Sequence, residues 1–152
     1  MKKLIFVDFD DTLCLHSSWI SYQTLLLAGN DMTLDILKDS VPNYPLIEYL
    51  EKESEDLETA IFLISVSCSL FIPYKKRWCD QYCSKVRFTD YIGSSIEASK
   101  AIIMEGYRRQ YNLKPEDVIY IDDSATERKA ALEYNFNVYS PTYFNIMFTS
   151  AK

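Results

Sequence analysis

Two short stretches of this 152-residue chain concentrate side chains able to do chemistry. In Leu4-Ile-Phe-Val-Asp8-Phe-Asp10-Asp11-Thr12-Leu13 an apolar run ends abruptly in three carboxylates, and in Val118-Ile-Tyr-Ile121-Asp122-Asp123-Ser124 a second apolar run ends in two more. Burying an unpaired carboxylate is expensive, so these acids belong where a strand's carboxyl end meets solvent, the edge at which ligands bind in open α/β sheets. Carboxylates gathered on one rim repel and raise each other's pKa unless a cation lies among them. Mg2+ suits such a set, because it takes hard oxygen ligands, keeps several waters and is held by one or two carboxylates together with a substrate phosphate. Asp and Ser also serve as helix caps and turn residues. That reading accounts for Asp122 or Ser124 as an N-cap, but not for two acidic clusters each placed directly after a buried strand.

Placing both clusters on one rim requires parallel strands joined by helices. Lys3–Val7, Ala60–Ile64 and Val118–Ile121 are short, continuous and apolar, as strands buried on both faces are. Val86–Thr89 and Asn137–Tyr139 are weaker strand candidates. Between them, Tyr44–Asp56, Pro73–Cys83, Ile96–Tyr111 and Ala125–Tyr134 carry apolar residues at helical spacing, with Pro45 and Pro73 suited to first turns. Trp19–Ala28, stopped by Gly29-Asn30, predicts a further helix, and Thr33–Leu37 a shorter one. The alternation predicts an α/β fold in one domain spanning 1–152. The three glycines form neither GxGxxG nor GxxxxGK, so phosphate chemistry here needs side chains other than a glycine-rich loop.

Composition narrows the class. Sixteen Lys+Arg against 22 Asp+Glu leave a net charge of −6, which argues against a protein that holds nucleic acid mainly by charge. No apolar run approaches the roughly 20 residues of a membrane span, and Asp8 interrupts what begins like a signal peptide. A cytoplasmic location follows as the expectation, with the four cysteines kept as thiols. Cys79 and Cys83 share a helix face, but the single histidine and the lack of a second cysteine pair argue against structural zinc.

In its motifs the chain resembles the haloacid dehalogenase superfamily of phosphohydrolases, in capless or minimally capped form. The family's first motif, an apolar strand ending in Asp-x-Asp-x-Thr-Leu, is matched by Asp8-Phe-Asp10-Asp11-Thr12-Leu13. A second strand ending in Ser or Thr is met by Ile61-Phe-Leu-Ile-Ser65, although Ser67 and Ser69 leave its register open by two residues. Lys100 is the candidate for the lone lysine ahead of the fourth strand, with Lys75 or Lys76 as competitors, and Asp122-Asp123 matches the final acidic pair. Glu127 stands where the family more often has Asp. The likeness runs from residue 4 to about 139, nearly the whole chain.

This resemblance implies a three-layer α/β/α Rossmann-like fold around a five-stranded parallel sheet of order 5-4-1-2-3, with a short helical flap after strand 1. It implies a Mg2+-dependent phosphatase in which Asp8 attacks phosphorus to form an aspartyl-phosphate. Asp10 would protonate the leaving oxygen and later take a proton from the hydrolytic water, helped by a pKa that neighbouring acids raise. Ser65 would donate to the phosphoryl group and Lys100 would offset charge on phosphate and Asp8. The implied Mg2+ ligands are the Asp8 carboxylate, the Asp10 carbonyl and Asp123, with Asp122 nearby.

The segment 14–44 is long enough for a flap but short of the roughly 50 residues of an independent domain. An open cleft suits a phosphate on a larger molecule, with nucleic acid a partner only as substrate. His16 reads as a surface or flap histidine, Lys75-Lys76-Arg77 and Arg108-Arg109 as solvated helix faces, and Cys14 and Cys68 as inert thiols. Tyr139, Tyr143, Phe144 and Phe148 are expected to pack on the sheet. The competing function is a non-enzymatic, phospho-accepting or phosphate-sensing module like a receiver domain, which also combines acids, Mg2+, Ser/Thr and Lys; a receiver, however, puts its acid pair on the first strand and its acceptor Asp on an internal one.

Overall fold

A computed structural model describes residues 1–16, 37, 40–66, 71–95 and 99–149. Five parallel strands form the central sheet: β1 (Lys3–Val7), β4 (Thr59–Val66), β5 (Phe88–Ser94), β6 (Val118–Ile121) and β7 (Asn137–Tyr139). They run side by side as β5-β4-β1-β6-β7, which in sheet strands alone is the expected 5-4-1-2-3. A two-stranded antiparallel ribbon of β2 (Cys14–Leu15) and β3 (Val41–Pro42) adds to it, pairing Cys14 with Pro42 and Leu15 with Val41.

The apolar strands split their side chains between two cores, as the period-two geometry of a strand demands. On one face Ile5, Val7, Ile61, Leu63 and Ile121 pack with Leu46 and Leu50 of α1 (Tyr44–Glu53), with Trp78 and Cys79 of α2 (Ile72–Tyr82), and with Phe144 of α5 (Pro141–Thr149). On the other, Leu4, Phe6, Ala60, Phe62, Val118 and Tyr120 pack with Met104 of α3 (Ser99–Gln110) and Ala131 of α4 (Ala125–Leu132). The result is helix, sheet and helix in three layers. Phe6 stacks on Phe62 at 5.0 Å, adding specific ring geometry to the burial of a central strand pair.

Several boundaries depart from the sequence reading. The β5 strand begins at Phe88 and runs to Ser94, later than the 86–89 segment, and its register against β4 shifts between Ile61 and Phe62. The α5 helix is not among the elements the sequence predicts: its aromatic run suggests only packing on the sheet, and Phe144 does pack there, meeting Tyr49 of α1 at 4.8 Å and Tyr139 of β7 at 6.0 Å. The expected helix Trp19–Ala28 and most of Thr33–Leu37 lie outside the described residues. The segment 14–44, expected to form a flap, is therefore described chiefly at its ends, which the ribbon holds side by side.

Candidate active site

Parallel register puts the acids on one rim. Val7 pairs with both Leu63 and Ile121, so Asp8, one residue on, emerges beside Asp122, and its N–H donates to the Ile121 carbonyl at 2.9 Å. A tight turn then brings the chain back over Asp8. The Phe9 carbonyl accepts from the N–H groups of Thr12, Leu13 and Cys14, and Asp11 takes a left-handed φ of 55°, which Asp tolerates better than most residues. Thr12 is thereby buried between two strand ends. Its hydroxyl lies 3.1 Å from Asp8 Oδ2, 3.2 Å from Asp123 Oδ1 and 3.1 Å from the Asp123 N–H.

Lys100, from the first turn of α3, donates to Asp8 Oδ1 at 2.9 Å and to Asp122 Oδ2 at 2.8 Å. Asp122 Oδ2 also accepts from the buried Tyr120 hydroxyl, and its Oδ1 accepts from the Ser124 N–H at 2.8 Å. Ser124 is the N-cap of α4, its side chain accepting from the Glu127 N–H. Arg128 Nη1 donates to the carbonyls of Asp122 and Asp123, which secures the loop from behind. One carboxylate oxygen from each of Asp8, Asp122 and Asp123 lies within 4.8 Å of the others. Glu127 is buried close behind, outside that trio.

The electrostatics follow from this crowding. Burial, opposed by Lys100 and reinforced by Asp122 and Asp10, holds the Asp8 carboxyl well above the usual range. Burial likewise raises Asp123, with Asp122 adding to it. Burial alone would lower Lys100, but Asp8 and Asp122 outweigh it and raise its pKa. Such a trio fits a divalent cation, since ionised carboxylates at this spacing need positive charge and retain lone pairs beyond those already engaged.

Asp10 departs from expectation. Its carboxylate is held by two nitrogens, Lys75 Nζ at 2.9 Å from Oδ2 and His16 Nε2 at 2.8 Å from Oδ1. Burial pushes its pKa up, but Lys75 and His16 together outweigh burial and leave it below the ordinary value, opposite to the rise that crowding by acids would give. His16 is correspondingly raised, chiefly by its bond to Asp10 and against the effect of burial. It is thus a site residue and not a solvated one, which sequence alone does not show.

Lys75 is the second correction. The sequence favours Lys100 over it, yet both reach the site, on different acids: Lys75 is 1% exposed and donates to Ser65 Oγ at 2.6 Å as well as to Asp10. The helical spacing that buries Trp78 and Cys79 on α2 turns Lys75 inward with them. Ser65, at the end of β4 opposite Gly93, joins this second group, while Ser67 and Ser69 lie outside the described residues. Tyr120, Thr12 and Arg128 complete the site. Of these, only Thr12 belongs to a recognised motif, whereas Tyr120 reads in sequence as one more apolar strand residue.

No family model matches the chain, and no curated protein does. Solved structures do. A HAD-superfamily hydrolase from Ehrlichia chaffeensis superposes with a TM-score of 0.61 at 16% identity, over 100% of each chain. The fold is that of the haloacid dehalogenase superfamily. A HAD family enzyme from Bacteroides thetaiotaomicron, in complex with magnesium and inorganic phosphate, matches with a TM-score of 0.57 at 15% identity, over 91% of this chain and 93% of the other. The HAD domain of the Legionella pneumophila effector Lem4 matches with a TM-score of 0.56 at 12% identity, over 98% of this chain and 93% of the other. These haloacid dehalogenase folds share the sheet and the three layers with the present chain at identities that speak to architecture.

Proposed function

We propose that the chain is a Mg2+-dependent phosphoric monoester hydrolase acting through an aspartyl-phosphate on Asp8. The carrying observation is the convergence of Asp8, Asp122 and Asp123 within 4.8 Å, with Lys100 bonded to the first two. The magnesium and phosphate bound by the Bacteroides enzyme lend support to this choice of cation and substrate group. Asp8, Asp123 and the Asp10 carbonyl would hold the ion with Asp122 nearby, and its charge would favour the ionised acids and a bound phosphate oxygen.

The chain's own residues then divide the work. Asp8 is braced by Thr12 and Lys100, which aims one carboxylate oxygen at phosphorus and shields its charge. As the Asp8 oxygen bonds to phosphorus, the bond from phosphorus to the ester oxygen breaks and Asp10, which must first take up a proton against the hold of Lys75 and His16 on its ionised form, gives that oxygen the proton. In the second half, water attacks the aspartyl-phosphate, Asp10 takes the water's proton, and the electron pair returns to Asp8. Ser65 donates to the phosphoryl oxygens, as Lys100 offsets their charge. We place this activity in the cytoplasm, where the Cys14, Cys79 and Cys83 thiols stay reduced; burial pushes Cys14 up to about 12, so it is no competing nucleophile. Among the described residues no helix is long and apolar enough to cross a membrane.

A phosphate-release screen across nucleotides, sugar phosphates, nucleic-acid ends and phosphoproteins tests the reading, with Asp8→Asn as the blank. Turnover that needs Mg2+ and vanishes in Asp8→Asn supports it. Turnover indifferent to chelator, or equal in the variant, refutes it.

A further inference from the structure

Asp10 projects from the same turn as Asp8 yet is turned away from Lys100, toward two nitrogens from other parts of the chain. His16 follows β2 and Lys75 lies in α2, and each holds a different Asp10 oxygen, at 2.8 and 2.9 Å. A carboxylate gripped at one oxygen can still rotate; gripped at both it cannot, and each oxygen keeps a further acceptor position for a proton in transit. The grips are themselves anchored. Lys75 is buried with its ammonium 5.3 Å from the Phe9 ring centroid, and the His16 N–H donates to Asp11 Oδ1 at 3.2 Å, tying the histidine to the turn that carries Asp10.

Lys75 also reaches Ser65 Oγ at 2.6 Å. An ammonium only donates, so this bond occupies a lone pair of the serine oxygen and leaves the hydroxyl hydrogen to be directed elsewhere. We propose that Lys75 and His16 are positioning residues that fix the Asp10 carboxylate for proton transfer, Lys75 in addition setting the Ser65 hydroxyl to donate toward the phosphoryl group. Both act through the residues they hold. This rests on the phosphatase reading given above, and it separates the roles of the two site lysines, with Lys100 serving the nucleophile and Lys75 the proton-transfer side.

The test is a double-mutant cycle on the full chain with Mg2+, using an aryl phosphate whose leaving group departs without a proton, so that Asp10→Asn keeps measurable turnover. His16→Ala should lower kcat by about 10- to 100-fold, the range typical of residues that orient a functional side chain, with KM little changed. His16→Gln, which restores a donor, should recover most of the loss. In an Asp10→Asn background His16→Ala should add almost nothing, because its effect runs through Asp10. Lys75→Met should follow the same pattern, and His16 carries the test if that variant folds poorly. On an alkyl phosphate, which needs a proton on its leaving oxygen, His16→Ala should lose more than on the aryl ester. A His16→Ala loss undiminished by Asp10→Asn, or one confined to KM, overturns the positioning role alone. Full activity of Asp8→Asn, assayed alongside, overturns the aspartyl-phosphate reading and the clamp with it.

Discussion

Replacing Asp8 by Asn should abolish turnover and, in the absence of metal, make the protein more stable. The Asp8 oxygen in the acidic trio lies within 4.8 Å of those of Asp122 and Asp123. At an effective dielectric of 20, each like-charge pair at that separation repels by about 3.5 kcal/mol, or about 7 kcal/mol for the two. The Lys100 contact at 2.9 Å returns about 6 kcal/mol on the same scale. The charges nearly cancel, and burial of Asp8 decides the sign against the carboxylate. Asn keeps an acceptor for Lys100 without the charge, so a gain of about 1 kcal/mol is expected, a melting temperature higher by about 2–4 °C for a chain of this length. A raised folded-state pKa means that the Asp8 contribution is fully present below its unfolded pKa of about 3.9 and is lost as pH rises through the folded value. The advantage of Asn should therefore shrink on acidification. Mg2+ at 100 times its dissociation constant should stabilise the wild type by about 2.7 kcal/mol, and the variant, short of one charged ligand, by less. Differential scanning fluorimetry with EDTA and with Mg2+ measures all of this. A variant less stable than wild type in EDTA at neutral pH, or equally stabilised by Mg2+, would mean that the Asp8 charge is no burden to the metal-free fold or no ligand, respectively.

Other expectations concern single contacts. Lys100→Met leaves Asp8 and Asp122 buried without their shared cation, a loss of about 3–5 kcal/mol in urea unfolding without metal, and should reduce kcat by about 10²–10³-fold. Tyr120→Phe removes the hydroxyl that donates to Asp122 and should destabilise by about 1.5–3 kcal/mol, the range for bonds to charged groups, read by the same titration. Phe144→Ala empties a site buried against Tyr49 and Tyr139 and should lower stability by about 3–5 kcal/mol in thermal unfolding.

The parts of the site legible in sequence are those fixed by local rules. Lys3–Val7 and Val118–Ile121 are too uniformly apolar to be anything but interior strands, and an acid directly after such a strand must emerge at its carboxyl edge, which is where Asp8, Asp122 and Asp123 stand. Ser124 as an N-cap is equally local. The surroundings of Asp10 are not legible, because they depend on which way α2 and the residues after β2 turn. Lys75 lies ten residues beyond Ser65, in a run of three basic residues that reads as a solvated face, and only the packing of Trp78 and Cys79 beneath the sheet turns it inward. His16 gives no periodic signal at all. The direction of the Asp10 pKa escapes a sequence reading for the same reason: sequence shows its acidic neighbours, while the nitrogens that lower it against burial come from 6 and 65 residues away.

The most direct test is to find where the phosphoryl group rests during turnover. Wild-type protein quenched in acid during steady-state hydrolysis of an aryl phosphate, reduced with borohydride and mapped by mass spectrometry, should show homoserine at position 8, with none in Asp8→Asn. Modification at another residue, or none in a protein that turns over, would mean that Asp8 does not capture phosphorus.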